Sequence, residues 1–146
     1  MDDDRDLAAR FFNQVWALLD KADRSTDDDL SMIHLAHASR LHWQLAGGPR
    51  EWAIGEWQIA RVYSVLGRGE PALFHARVAL DLTADGALGA FLAGSAEEVM
   101  ARACRAAGRA ADAQRHHAAA LALADQVSDA EEREVLMADL AAAPQG

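Results

Sequence analysis

The chain is 146 residues long, 51% hydrophobic and 25% charged, with a formal net charge of −9. Those values place it among globular rather than disordered chains, and the acidic balance argues against nucleic acid or an anionic membrane as a partner. No apolar run approaches the roughly 20 residues that span a bilayer. The acidic start Met1-Asp2-Asp3-Asp4 is unlike a signal peptide's basic end, and the lone Cys104 can form no internal disulfide, so the expected location is cytoplasmic.

Helical spacing of apolar residues runs through the whole sequence, and no stretch alternates like a strand. A first helix is predicted from about Asp6 to Asp23, with Leu7, Phe11, Val15, Leu18 and Leu19 on one face. Ser25 or Thr26 caps a second helix, where Asp27, Asp28 and Asp29 meet the positive end of the helix dipole; it runs to Leu45 and stops at Gly47-Gly48. Pro49 opens a third helix that carries Trp52, Ile59, Tyr63 and Leu66 up to Gly67, and Pro71 opens a fourth that ends near Asp85-Gly86. A fifth occupies roughly Gly89 to Ala107, and a sixth follows the turn at Gly108 and reaches Val127. Ser128 and Glu131 have capping-box spacing and start a seventh, which ends before Pro144. The apolar stripes predict that Leu7, Phe11, Leu41, Ile59, Tyr63, Leu80, Leu121 and Leu136 are buried.

The sequence repeats itself internally. Arg61, Tyr63, Leu66, Gly67 and Arg68 lead into Ala72, His75, Ala79 and Leu80; forty-one positions later Arg102, Cys104, Ala107, Gly108 and Arg109 lead into Ala113, His116, Ala120 and Leu121. Each half reads as a helix, a Gly-Arg turn, and a second helix with small residues where backbones approach. The pattern resembles the tetratricopeptide repeat, in which a tyrosine precedes the turn glycine by four and alanines recur on the second helix. Tyr63, Gly67, Ala72 and Ala79 carry that resemblance, and Gly108, Ala113 and Ala120 carry it again. The period exceeds the family's usual value of about 34, which implies longer helices. The chain also resembles a small bacterial family that joins a His37-to-Trp43 motif to Gly55-Glu56-Trp57-Gln58, and no activity comes with that likeness.

The tetratricopeptide resemblance implies an all-α fold: antiparallel helix pairs stacked as a short right-handed superhelix of about seven helices. The expected layout is one helical-repeat domain over 1–146, with a divergent first pair at 6–46, repeat pairs at 50–84 and 89–127, and a C-terminal capping helix at 129–141. Repeats bury their apolar stripes only against neighbours, so the end of the stack needs such a cap.

Chemistry is concentrated early in the chain. Eight of the nine aromatic residues lie in the first 75 positions, and four of the six histidines lie between His34 and His75, so a site is expected among the first four helices. His34, His37 and His42 share the second helix with Trp43, and His34 shares a face with Leu30, Leu41 and Leu45 that should point inward. Imidazoles three apart can share a metal if a carboxylate arrives from a facing helix, which makes His34, His37 and Glu56 a candidate divalent-metal set with His75 nearby. The competing reading is a buried polar core in which the histidines bond to Glu56, Asn13 or a carbonyl. A second constellation is Trp57 and Arg61, one turn apart on the third helix, with Trp52, Gly55 and Glu56 beside them. In tetratricopeptide-like stacks the first helix of each pair lines a groove, so Trp16, Trp57 and Arg61 read as groove residues that stack on a ligand; alternatively Trp57 is plain core. His116 and His117 diverge by about 100° on their helix and are expected at a solvated edge. Cys104 falls where Tyr63 stands in the other half and is expected to be a packed side chain.

These residues favour a non-catalytic helical-repeat scaffold that accepts a peptide, a protein partner, a second copy of itself or a small ligand in a groove lined by the first four helices. Its contact residues would be Asn13, Trp16, His34, His37, His42, Trp43, Glu56, Trp57, Arg61 and His75. The alternative is a metal- or small-ligand-binding protein, or an enzyme, centred on His34, His37 and His42 with Glu56. No nucleophile, base and orienting group stand together in the sequence, so no catalytic residue is named.

Overall fold

The computed structural model describes residues 2–142, which form seven α-helices with no strand among them. In chain order they are α1 (Asp4–Leu19), α2 (Thr26–Ala46), α3 (Pro49–Val65), α4 (Gly69–Thr83), α5 (Ala90–Ala106), α6 (Ala110–Ala124) and α7 (Ala130–Ala142). No helix among the described residues is long and apolar enough to cross a membrane.

Local chemistry sets the boundaries. The Asp3 carboxylate accepts from the Asp6 amide and starts α1 two residues earlier than the apolar pattern suggested. The helix stops at Leu19 rather than Asp23, because the Arg24 guanidinium donates back to the Leu18 and Leu19 carbonyls while pairing with Asp29 at 2.9 Å. Ser25 and Asp28 form a reciprocal capping box at the head of α2. Pro71 lies inside the first turn of α4, which opens at Gly69. The α7 cap is Asp129, whose carboxylate accepts from the Glu132 amide at 2.8 Å, not Ser128. Pro144, expected to end that helix, lies outside the described residues.

The forty-one-residue repetition is present in the backbone. Helices α3 and α5 each have 17 residues, and α4 and α6 each have 15. The turns between them match in detail: Gly67 has φ 72° and Gly108 φ 75°, a region that favours glycine, and Arg68 and Arg109 each donate their amide five residues back at 2.8 Å. Neighbouring helices pack side by side, α3 also touches α1 and α5, and α7 lies against both α5 and α6.

Small residues hold these contacts close. Ala72, Ala76 and Ala79 of α4 and Ala113, Ala120 and Ala124 of α6 are buried, and the core around them is filled by Val99, Met100, Cys104 and Ile59, with Tyr63 and Leu80 partly covered. Of the residues expected inside, Ile59 and Leu136 are buried, while Leu7, Phe11, Tyr63 and Leu80 are partly so. Leu41 and Leu121 are exposed, which corrects the apolar-stripe reading. On α2 the phase is wrong as a whole: the buried face is Met32, Ala36 and Ser39, and Leu30, Leu41 and Leu45 lie outside. Close approach decides that face. Ser39 is wholly buried and its hydroxyl donates to the Ala8 carbonyl of α1 at 2.7 Å, a contact for which a leucine has neither the group nor the size.

Candidate functional site

The histidines of α2 do not form one cluster. His34 follows the leucine face and is exposed, so the inward orientation expected for it is not found. His42 turns toward α1, where its Nδ1 donates to the Asp4 carboxylate at 2.8 Å and its ring tilts against Phe11. Trp43 lies under the Arg5 guanidinium, and its carbonyl accepts from the Trp52 indole at 3.1 Å. Asn13 is exposed on α1 beside this corner and reaches none of the histidines through a hydrogen bond.

Only His37 enters the interior between α2, α3 and α4. Its Nε2 is hydrogen-bonded to the Tyr63 hydroxyl at 2.9 Å, and its ring meets the His75 ring edge-on at 5.2 Å. His75, stacked on Tyr63, donates from Nδ1 to Glu56 at 2.6 Å. The other oxygen of Glu56 accepts from Arg40 Nε at 3.1 Å. Gly55 makes this possible: a Cβ there would stand 2.7 Å from Arg40 Cδ, so a glycine on α3 lets the arginine lie across the helix to the carboxylate. Burial and the neighbouring His75 push the His37 pKa below the usual histidine range, against the raising effect of Glu56. Among the described residues no three His, Cys, Asp or Glu side chains stand close enough to share a metal ion. The His34, His37 and Glu56 set is not assembled, because His34 points away and Glu56 is engaged by His75 and Arg40.

The His75–Glu56 pair has a twin. Shifted by the repeat, it becomes His116 and Glu97, where the imidazole Nδ1 again donates to the carboxylate at 2.6 Å. His116 is thus half-buried and tied to α5 rather than lying on a solvated edge, and His117 accepts from Arg105 at 3.4 Å. The repeat pattern already matched His75 with His116; applying the same shift to Glu56 would have found Glu97. Cys104 is buried, and burial raises its thiol pKa, which suits a packed side chain rather than a nucleophile.

The aromatic residues converge elsewhere. A cavity of about 310 Å³ lies between α1, α3, α4, α5 and α7. Phe12 and Trp16 line it from α1, Ile54 and Trp57 from α3, and Phe91 and Leu92 from α5, and Val135 and Asp139 of α7 form its roof. Trp16 and Trp57 pack at 5.6 Å between ring centres, and the Arg61 guanidinium lies over both rings. Asp139 holds that guanidinium at 3.3 Å, so Arg61 locks α7 onto the tryptophan pair. In the second repeat Trp57 and Arg61 are replaced by Glu98 and Arg102. Arg102 Nε donates to Glu98 at 2.5 Å and another of its nitrogens to the Asp139 carbonyl. Glu98 is buried, which raises its pKa against the lowering effect of Arg102. The sequence singled out Trp16, Trp57 and Arg61 but not Phe12, Phe91, Val135 and Asp139, since nothing in the spacing shows that side chains of α7 reach those of α3.

Compared with protein-family models, curated proteins and solved structures, the chain matches none.

Proposed function

We propose that this protein is a non-catalytic binding module that holds a small apolar molecule in the cavity roofed by α7. The observation that carries this reading is the convergence of Phe12, Trp16, Trp57 and Phe91 from three helices on one partly enclosed, mostly apolar space. Its volume lies at the lower end of the range of about 300–1,000 Å³ typical of small-ligand sites. The occupant is a small molecule rather than a peptide strand, because Val135 and Asp139 close over the groove that a peptide would follow. The tetratricopeptide-like arrangement belongs to this proposal and is supported by the matched turns and helix lengths; a cytoplasmic location belongs to it as well.

A second use of the histidines as a metal or catalytic centre finds less support. His37 is bonded to Tyr63, and Glu56 is held by His75 and Arg40, an arrangement that suits a tie between three helices.

The test titrates 1-octanol, a neutral apolar molecule small enough for the cavity, and follows binding by calorimetry and by the fluorescence of Trp16 and Trp57. Saturable one-to-one binding is expected, and it should be lost in Val135→Trp, which fills the cavity edge from a position 54% exposed and so leaves the melting temperature unchanged. No saturable binding, or equal affinity in a folded Val135→Trp, would overturn the reading.

A further inference from the structure

We infer that the molecule held in the cavity is a carboxylate amphiphile whose head group pairs with Arg50; this rests on the cavity-binding reading above. The apolar cavity shares a wall with a second, more polar recess of about 190 Å³. Arg50, Phe91 and Leu92 line both spaces. An elongated molecule can therefore leave its apolar body among the aromatic rings and place its head beside Arg50 at the cavity edge. The recess is otherwise lined by the α4–α5 and α6–α7 connections and the start of α7, and its other polar side chains are Gln126, Ser128 and Glu132.

Arg50 is the cation placed to choose the head. Among the described residues it has no ion pair and no hydrogen bond, in contrast to Arg40, Arg61 and Arg102, each of which is held by a carboxylate. It stands in the first turn of α3, at the positive end of the helix dipole, where a cation is disfavoured unless an anion joins it. The charged groups facing it are Glu132 across the recess and Asp139 in the cavity roof; Asp139 is already engaged by Arg61. A guanidinium left free at the junction of an apolar cavity and a polar recess suits a carboxylate, which it can take through two hydrogen bonds. The cavity has room for on the order of ten non-hydrogen atoms at about 30 Å³ each, so an acyl or aryl acid of about eight to ten carbons matches it.

The net charge of −9 sharpens the inference. A protein this acidic repels anions at long range, so it should bind an alcohol better than the corresponding acid unless a local cation reverses the order. Octanoate and 1-octanol make the comparison at pH 7.5, each measured by calorimetry. Octanoate is expected to bind one-to-one and about tenfold or more tighter than 1-octanol. Arg50→Gln, an exposed substitution, should bring octanoate down to or below 1-octanol. Raised salt should weaken octanoate alone. Equal binding of the two in the wild type, or an unaltered preference in Arg50→Gln, overturns the head-group inference and leaves the cavity reading standing. Failure of 1-octanol to bind at all removes the cavity reading together with this one.

Discussion

The two repeat halves share a backbone and differ in what they place on it. Both have the 17-residue and 15-residue helices, the left-handed glycine, the buried alanines and a His–Glu tie of 2.6 Å. In the first half Trp57 and Tyr63 face neighbouring helices, one toward a cavity and one toward His37. At the matching places the second half has Glu98 and Cys104, both buried. The shared positions build the scaffold, and the differing ones set Trp57 beside the cavity in one half and a buried Glu98–Arg102 pair in the other.

The largest expected effect tests that buried pair. Glu98→Ala removes the partner of Arg102 in the interior and should cost about 3–5 kcal/mol, as loss of one member of a buried pair does. Chemical denaturation measures it. A cost below about 1 kcal/mol would mean that Arg102 is satisfied by the Asp139 carbonyl alone and that the two halves are held together more alike than their residues suggest.

The His–Glu ties give a matched pair of experiments at the next scale. Glu56 is nearly buried and accepts from both His75 and Arg40, whereas the Glu97 side chain is 22% exposed and accepts from His116. Glu56→Gln should cost about 1.5–3 kcal/mol, the usual worth of charge-assisted bonds away from solvent. Glu97→Gln should cost under about 1 kcal/mol. Equal costs would show that the Arg40 bridge across Gly55 adds nothing to the His–Glu tie.

Protonation gives a third test, at His37 of α2, which meets the first half through Tyr63 and His75. The folded-state pKa of His37 is depressed, so the unfolded chain takes up this proton more readily than the folded one. Its contribution to stability is therefore full above the ordinary histidine range and is lost as pH falls through the lowered folded value. The groups facing it are Tyr63, His75, Glu56 and the neighbouring His34. Melting temperatures between pH 8 and pH 5 should fall for the wild type and fall less for His37→Gln. Parallel curves would assign the pH dependence to other groups.

Much of this architecture was legible in the sequence, and the reasons for success and failure are physical. Helix count and turns were readable because Gly67, Gly108, Pro49 and the Ser25–Asp28 cap act locally, on their own backbone. The facing of α2 was not. Apolar residues surround most of that helix, and the inward side is chosen by how closely α1 approaches, through Ala36 and Ser39, a tertiary fact. The error at His34 followed from the error at Leu41, since both were assigned by one stripe. Trp16, Trp57 and Arg61 could be grouped from their place on the first helices of their pairs, and their rings and guanidinium do pack together. Phe91, Val135 and Asp139 were not, because the contact between α3 and α7 spans 78 positions and leaves no local mark.

The smallest expected effect compares the two leucines that the repeat makes equivalent. Leu80 packs partly covered against the core around Ala76 and Val99, whereas Leu121 is 39% exposed. By sequence the two positions are the same and should respond alike. By structure, Leu80→Ala removes methyl groups from a packed surface and should cost about 1–3 kcal/mol, less than a fully buried leucine because part of the side chain already meets solvent. Leu121→Ala should change stability by no more than about 0.5 kcal/mol, the usual range for a surface site. Denaturation midpoints for the two variants, taken under one set of conditions, give the comparison directly. The difference arises because α4 lies between α3 and α5, with helices on both flanks, while α6 meets α5 and α7 alone and leaves more of its surface to solvent. Equal and large losses would mean that α6 is covered in solution by something the isolated chain does not supply, and equal small losses would mean that the Leu80 side of the core is loosely packed.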